Sequence, residues 1–432
     1  MKIAYIAAGA AGMYCGSCLH DNTLARAMMD IGAPDEKHDV VLVPTYTPLR
    51  TDEQDVSHRR VFFGGINAYL QQHVPLFRYT PRWLDRLFDS RWLLNKATAG
   101  AASVDPAKLG GMTVSMLRGE EGYQAKEVDK LVDWLLDEIK PDVVHLSNSM
   151  LLGMARRINQ RCGPPVVCAL SGEDIFLEKL TEPHYSQARE LLRKRAAEVA
   201  AFTALNDYYA DMMAEYLSVE RAKVHAVPHG LDLDGYHGEP SESERPTIGY
   251  LCRVCHDKGL HLLVEACEQI ADQHDFHLQA AGYLGAADRP YLEEIERRVA
   301  NGPLAGRFEY LGELTRNEKL DFLHSLDIFS TPTIYRESKG LPAIEALAAG
   351  TPVVLPDHGS FPELVAETGG GLLHRAEDAG HLAERLAELL NDAQRCKSLG
   401  ETGLQHVHEH RHAGRMAEQT LALYRSLIGA HR

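Results

Sequence analysis

Residues 331–356 read TPTIYRESKGLPAIEALAAGTPVVLP. An apolar strand ends near Thr331, a polar loop carries Glu337, and a helix opens around Gly340 and Leu341. Pro342 falls in the first turn of that helix, where a missing amide proton costs nothing, and the Ala-rich run from Ala343 continues it. A strand–loop–helix passage of this kind aims free backbone N–H groups and the positive end of the helix dipole beyond the carboxyl edge of a sheet. That is a phosphate-binding arrangement. Gly340, without a Cβ, lets a ligand come close to the backbone. Glu337 in the loop and Glu345 on the helix, with seven residues between them, can address one crevice. A carboxylate there accepts hydrogen bonds from the vicinal diol of a sugar or ribose.

Outward from this stretch, apolar runs at 248–251, 276–281, 308–311, 328–331 and 352–356 alternate with amphipathic patterns of helical period. A parallel sheet covered by helices on both faces produces that alternation. The segment 235–247, GYHGEPSESERPT, interrupts it with Gly, Pro, Ser and charges in no apolar period, the mark of a linker. Before the linker a second series runs through 2–8, 39–44, 142–146, 165–169, 200–205 and 224–228, with helical patterns such as 125–139 and 186–199 between. After the first strand, the polar run His20, Asp21, Asn22 reads as a helix start. The expected architecture is α/β, with two Rossmann-like domains at 1–234 and 248–410 facing each other across a cleft. An amphipathic helix within 411–432 is expected to return to the first domain.

A chain of 432 residues is too long for one ordinary core, which agrees with two domains. The net charge of −16 disfavours non-specific nucleic-acid binding, which needs a basic footprint. Eight cysteines in this length are no disulfide framework, and no stretch reaches the roughly 20 apolar residues of a membrane span. A cytoplasmic location is expected. The segment 59–96 departs from the rest: Arg59, Arg60, Arg78, Arg82, Arg86, Arg91 and Lys96 face only Asp85 and Asp89, among aromatics from Phe62 to Trp92. It reads as part of a helical insert, about 59–120, whose aromatics form their own small core. The alternative is an acceptor-binding or membrane-contacting patch.

The run at 331–356 resembles the donor-binding signature of the family 4 retaining glycosyltransferases, which have the two-Rossmann GT-B fold. Glu337, Gly340, Leu341, Pro342, Glu345, Gly350 and Pro352 fall on that pattern, followed by Gly359 and Glu363. GYLCRVCHDKGL at 249–260 resembles the family's strand–Arg–loop–Lys–Gly segment, and VPHGLDLDGYH at 227–237 the segment closing the first domain. PDVVHLSN at 141–148 and LSGEDIF at 170–176 resemble strand ends of the acceptor domain. The resemblance implies transfer of a sugar, with retention, from a nucleotide-diphosphate sugar, most commonly a UDP-sugar, to an acceptor hydroxyl. It places Arg253 and Lys258 on the donor diphosphate, Glu337 on the sugar hydroxyls and Glu345 on the ribose. Ser338, Lys339, Gly340 and Leu341 complete the donor side, and Gly12, Gly16 and Asp174 lie on the acceptor side. Arg253, Lys258 and the helix terminus can neutralise the leaving diphosphate themselves, so no metal ion and no cofactor beyond the nucleotide-sugar co-substrate is expected.

Three features depart from the family pattern. Lys339 stands where an aromatic is frequent, and Ser171-Gly172-Glu173-Asp174 lacks a frequent acceptor-side histidine. The first loop, GAAGMYCGSC at 9–18, lacks the Lys–Gly–Gly of glucan synthases. Cys15 and Cys18, and Cys252 and Cys255, form two CxxC pairs, each expected in the loop after the first strand of its domain. A zinc site or dithiol switch built from them is the competing reading. A nucleotide-sugar epimerase and a catalytically silent nucleotide-sugar-binding protein remain the alternatives to transfer.

Overall fold

The computed structural model describes residues 1–9, 16–32, 37–81, 106–236 and 245–431. Gly12, Cys15, the aromatic stretch 82–105 and the linker residues 237–244 lie outside the described residues. Contacts divide the chain into two compact units, Met1–Gly230 with Ala413–Arg432, and Leu231–His412.

The first unit is built on strands β1 (Lys2–Ala8), β2 (Asp39–Thr45), β3 (Val143–Leu146), β4 (Val166–Leu170), β5 (Ala201–Ala204) and β6 (Val224–Ala226). All pair in parallel, in the order β2-β1-β3-β4-β5-β6, with Ile3 opposite Val40 on one side and Val143 on the other. Residues Ile3–Ala7 are wholly buried because helices cover both faces, so the strand carries no polar alternation. The following helix, Gly16–Asp30, starts four residues before the polar run that was read as its start. His20, Asp21 and Asn22 lie inside it and are buried, since each has a tertiary partner. Asp21 accepts from the Tyr5 hydroxyl at 2.8 Å, His20 meets His229 at 2.8 Å, and Asn22 bridges Gln54 and Val56. The last helix, Ala413–His431, packs Met416, Ala417, Leu421 and Tyr424 into the same cluster as Ile3 and Tyr5.

The described part of the insert contributes helices Gly65–His73 and Pro106–Arg118. Its Phe62 and Phe63 do not form a core of their own. Both are fully buried in the main core beside β3 and β4, and Phe62 bridges to Thr45 at the end of β2. Tyr69, Leu76 and Tyr79 are exposed instead.

The second unit has β7 (Thr247–Leu251), β8 (His277–Ala281), β9 (Phe308–Tyr310), β10 (Ile328–Phe329), β11 (Val353–Pro356) and β12 (Gly371–His374). The last strand was not anticipated; its glycine-led, four-residue length gives almost no pattern to read. All six are parallel in the order β12-β11-β10-β7-β8-β9. From β7 the chain builds outward one way, and from β10 the other. The order therefore reverses between β7 and β10, and the carboxyl ends at such a reversal are where open α/β sheets bind ligands. Tyr236, read as linker, is buried within this unit. Each unit is a Rossmann-like domain.

Candidate active site

The loop after β7 holds Arg253 and Lys258, and the loop after β10 holds Glu337, so both emerge at the reversal point of the second sheet. Gly259, in the left-handed region at φ 75°, turns the first loop into the helix Leu260–Ile270. A Cβ there would lie 1.9 Å from the Pro332 carbonyl, so only glycine lets the two loops touch. The contact this permits is an ion pair. Lys258 Nζ donates to Glu337 Oε2 at 2.7 Å, with both side chains largely buried. The Tyr335 hydroxyl donates to the same oxygen at 2.8 Å, and its ring lies 4.7 Å from the ammonium. The backbone amides of Ser338 and Lys339 donate to Oε1 at 3.1 and 3.2 Å.

Burial alone would raise the Glu337 carboxyl, but Lys258, Tyr335 and the Lys339 amide outweigh it and hold the group down to about 2. Burial would likewise lower the Lys258 ammonium, yet Cys252, Glu337 and Tyr335 hold it well above the usual lysine range. The pair is thus carboxylate and ammonium at neutral pH. A carboxylate this acidic is a poor proton acceptor.

Gly340, at φ 65°, turns the chain into the helix Leu341–Ala348, with Pro342 in its first turn. The amides of Gly340 and Leu341 donate to no protein acceptor among the described residues. Two open donors at a helix N-terminus beside a buried ammonium form a site for an anionic group. Ser338 is buried and Lys339 partly so, while the exposed Arg253 guanidinium lies beside the Cys255 thiol. Glu345, on the next turn of the helix, accepts on Oε1 from Lys319 Nζ at 2.6 Å and from the Tyr236 hydroxyl at 3.1 Å. Tyr335, Lys319 and Tyr236 carried no signal in the sequence; each matters only through the carboxylate it meets.

On the first unit, Gly16 opens the helix Gly16–Asp30, and Asp174 opens the short helix Asp174–Leu177. Burial raises the Asp174 carboxyl, opposed by the bond at 2.6 Å from the Tyr209 hydroxyl, which in turn accepts from the Gly172 amide. Neighbouring Glu173 is a clamp between strand ends, accepting from the amides of Ser149 and Ser171 at 2.8 and 2.7 Å. The CxxC expectation needs correction at Cys18. It sits in the helix rather than in a loop, fully buried with its thiol directed at the Ala8 carbonyl. Cys252 is half-buried and its thiol is pushed up by burial, against the pull of Lys258. Among the described residues no three His, Cys, Asp or Glu side chains are grouped to hold a metal ion.

Two parallel α/β units, one with an ion pair and open helix amides at its topological switch point, define a Rossmann-type protein whose second unit has the geometry to accept an anionic group. Two family models cover most of the chain: "Glycosyl transferase 4-like domain" matches residues 24–230 and "Glycosyl transferases group 1" residues 237–406. The chain belongs to the group 1 glycosyltransferases of the GT-B fold, family 4 type. It is 28% identical over 229 residues to 2-deoxystreptamine glucosyltransferase of Streptomyces kanamyceticus, which covers 50% of this chain and 57% of that protein. The chain thus spans less than two thirds of that relative's length. In fold it is similar to sucrose-phosphate synthase from Thermosynechococcus elongatus, with a TM-score of 0.71 at 18% identity over the whole of both chains. It is also similar to Anabaena HepE in complex with UDP, with a TM-score of 0.68 at 16% identity, covering 99% of this chain and 100% of that one.

Proposed function

We propose that this protein transfers a sugar from a nucleoside diphosphate sugar, a UDP-sugar in the first instance, to an acceptor hydroxyl with retention of anomeric configuration. The observation that carries this reading is the Lys258–Glu337 pair set beside the open amides of Gly340 and Leu341. In such a transfer the bond from the sugar carbon to the diphosphate oxygen breaks as the bond to the acceptor oxygen forms. Negative charge grows on the leaving oxygen. Lys258, Arg253 and the two amides supply positive charge there, and each such contact is worth about 10²–10³ in rate. The acceptor proton passes to the leaving phosphate oxygen, since Glu337 is too weak a base to take it. Its carboxylate already holds four protein donors, so a sugar hydroxyl enters only by replacing one. Lys258 is that one: it turns to the diphosphate, and the hydroxyl takes its place on Oε2. Glu345 receives the ribose. The cations of the site make a metal ion unnecessary, so EDTA is expected to leave the rate unchanged.

The test is a thermal-shift screen against UDP, GDP, ADP and their common sugars, with the products of any turnover followed by NMR. A ligand at about 100 times its dissociation constant stabilises the native state by about 2.7 kcal/mol. A shift with one nucleotide, lost in Arg253→Ala, together with an α-linked product from an α-linked donor, supports the reading. Binding with an epimerised sugar, or binding without turnover, would replace it with one of the two alternatives.

A further inference from the structure

Glu345 is held asymmetrically. Its Oε1 accepts from both Lys319 and Tyr236, whereas Oε2 has no donor among the described residues. The two donors come from elsewhere in the unit, and each is fixed by its own local structure. Lys319 lies in the helix Arg316–His324, whose start is set by a capping box: Glu318 accepts from the Thr315 amide and hydroxyl at 2.8 and 2.7 Å. That cap determines the turn on which Lys319 projects. Tyr236 follows Gly235, at φ 91°, where a Cβ would lie 2.5 Å from Leu320 of the same helix. The left-handed φ favours glycine at this position, and Tyr236 follows it onto the carboxylate that Lys319 already holds.

We infer that Lys319, assisted by Tyr236, is a positioning and specificity residue: it saturates Glu345 Oε1 so that Oε2 alone is presented to a ribose hydroxyl, making the site select ribonucleotides over deoxyribonucleotides. This rests on the reading above, in which Glu345 receives the ribose. A charge-assisted bond at 2.6 Å fixes the carboxylate plane more firmly than a neutral donor would. A site built to accept from a hydroxyl rejects the analogue lacking it, because the acceptor is then left unpaired. A purely structural ion pair would behave differently, since its loss would weaken every nucleotide alike.

The experiment takes whichever of UDP, GDP and ADP binds most tightly, with its 2′-deoxy and 3′-deoxy forms, and measures their dissociation constants by calorimetry. The wild-type protein is expected to prefer the ribonucleotide by about tenfold or more over at least one deoxy form. Lys319→Met is expected to weaken the ribonucleotide and reduce that preference to about threefold or less, with Lys319→Arg restoring most of it. Tyr236→Phe, which keeps the ion pair, gives an intermediate preference and serves if Lys319→Met does not fold. A preference kept in Lys319→Met and Tyr236→Phe, with all three ligands weakened equally, would overturn the inference and leave Glu345 on the ribose. No preference in the wild type, or no nucleotide binding at all, would overturn the reading of Glu345 together with it.

Discussion

At Glu337 both carboxylate oxygens are already in use, Oε2 by Lys258 and Tyr335 and Oε1 by two backbone amides. The pair therefore separates two roles that a motif reading merges. Lys258→Met is expected to lose UDP affinity and to lower kcat/KM by about 10²–10³, because the diphosphate loses its buried cation. Glu337→Gln is expected to keep or improve UDP affinity, since the ammonium is released to the phosphate, while turnover of the UDP-sugar falls by a similar factor. Calorimetry with UDP and initial rates with the sugar donor distinguish them; equal loss of UDP binding in both variants would refute the exchange. Glu337, Glu345, Arg253 and Lys258 were singled out in the sequence because they stand at fixed offsets within one motif or one loop. Tyr335, Lys319 and Tyr236 were not. Tyr335 is two positions from a motif glutamate yet looks like any loop tyrosine, and Lys319 lies on a different helix, brought to Glu345 only by sheet topology.

The loops between elements set how precisely those residues meet. Gly359, at φ 64°, begins the turn after β11 that rests on the Glu337 loop, with the Ser360 amide donating to the Glu337 carbonyl at 2.8 Å. An added Cβ would lie 2.6 Å from both the Glu337 nitrogen and its carbonyl oxygen, so the Glu337 loop itself would have to move. Gly359→Ala is expected to cost about 1–3 kcal/mol of stability and at least about tenfold in kcat/KM. Gly306 has a similar φ of 76° but nothing within 4 Å of its would-be Cβ. Gly306→Ala should therefore show only the backbone cost, about 1 kcal/mol, with kcat/KM unchanged. Denaturant titration and steady-state rates on the two variants check this, and equal activities would mean the Gly359 contact does not position Glu337. The same elements show what pattern reading can reach. Buried runs such as 2–8 and 248–251 stand out, because a strand covered on both faces is apolar over nearly its whole length. The start of Gly16–Asp30 was misplaced because His20, Asp21 and Asn22 look solvated in sequence, and only the partners Tyr5, His229 and Gln54 make them interior. Phe62 and Phe63 were assigned to a separate core for the converse reason: nothing local says which sheet a buried aromatic will join.

Across the whole molecule, two influences on acid stability oppose each other. A net charge of −16 and an isoelectric point near 5.7 mean that self-repulsion relaxes as the pH falls from 7 toward 5.7, which favours the compact state. Each unit, however, buries a histidine that resists protonation. Burial, with a smaller contribution from His20, lowers His145 in the first unit to about 3, and burial chiefly lowers His374 in the second to about 4. Burial shifts His225, His261 and His406 the same way. With a folded value below the ordinary 6.5, the unfolded chain binds more protons between the two values. The stabilisation is therefore complete above pH 6.5 and is lost as the pH falls toward 3 or 4. By pH 5, His145 and His374 have each removed about 2 kcal/mol, more than diffuse surface repulsion is expected to return. The Glu337 pair adds nothing in this range, because its contribution begins to fall only below 4.5 on the way to about 2. Stability is thus expected to decline steadily from pH 7 to 5, rather than to peak near the isoelectric point. Urea unfolding at half-unit pH steps checks this on the wild type, His145→Gln and His374→Gln. Whatever its absolute stability, each variant should lose about 2 kcal/mol less than the wild type between pH 7 and 5. A wild-type maximum near pH 5.7 with unchanged slopes in the variants would show that net charge, not the buried histidines, governs the acid limb.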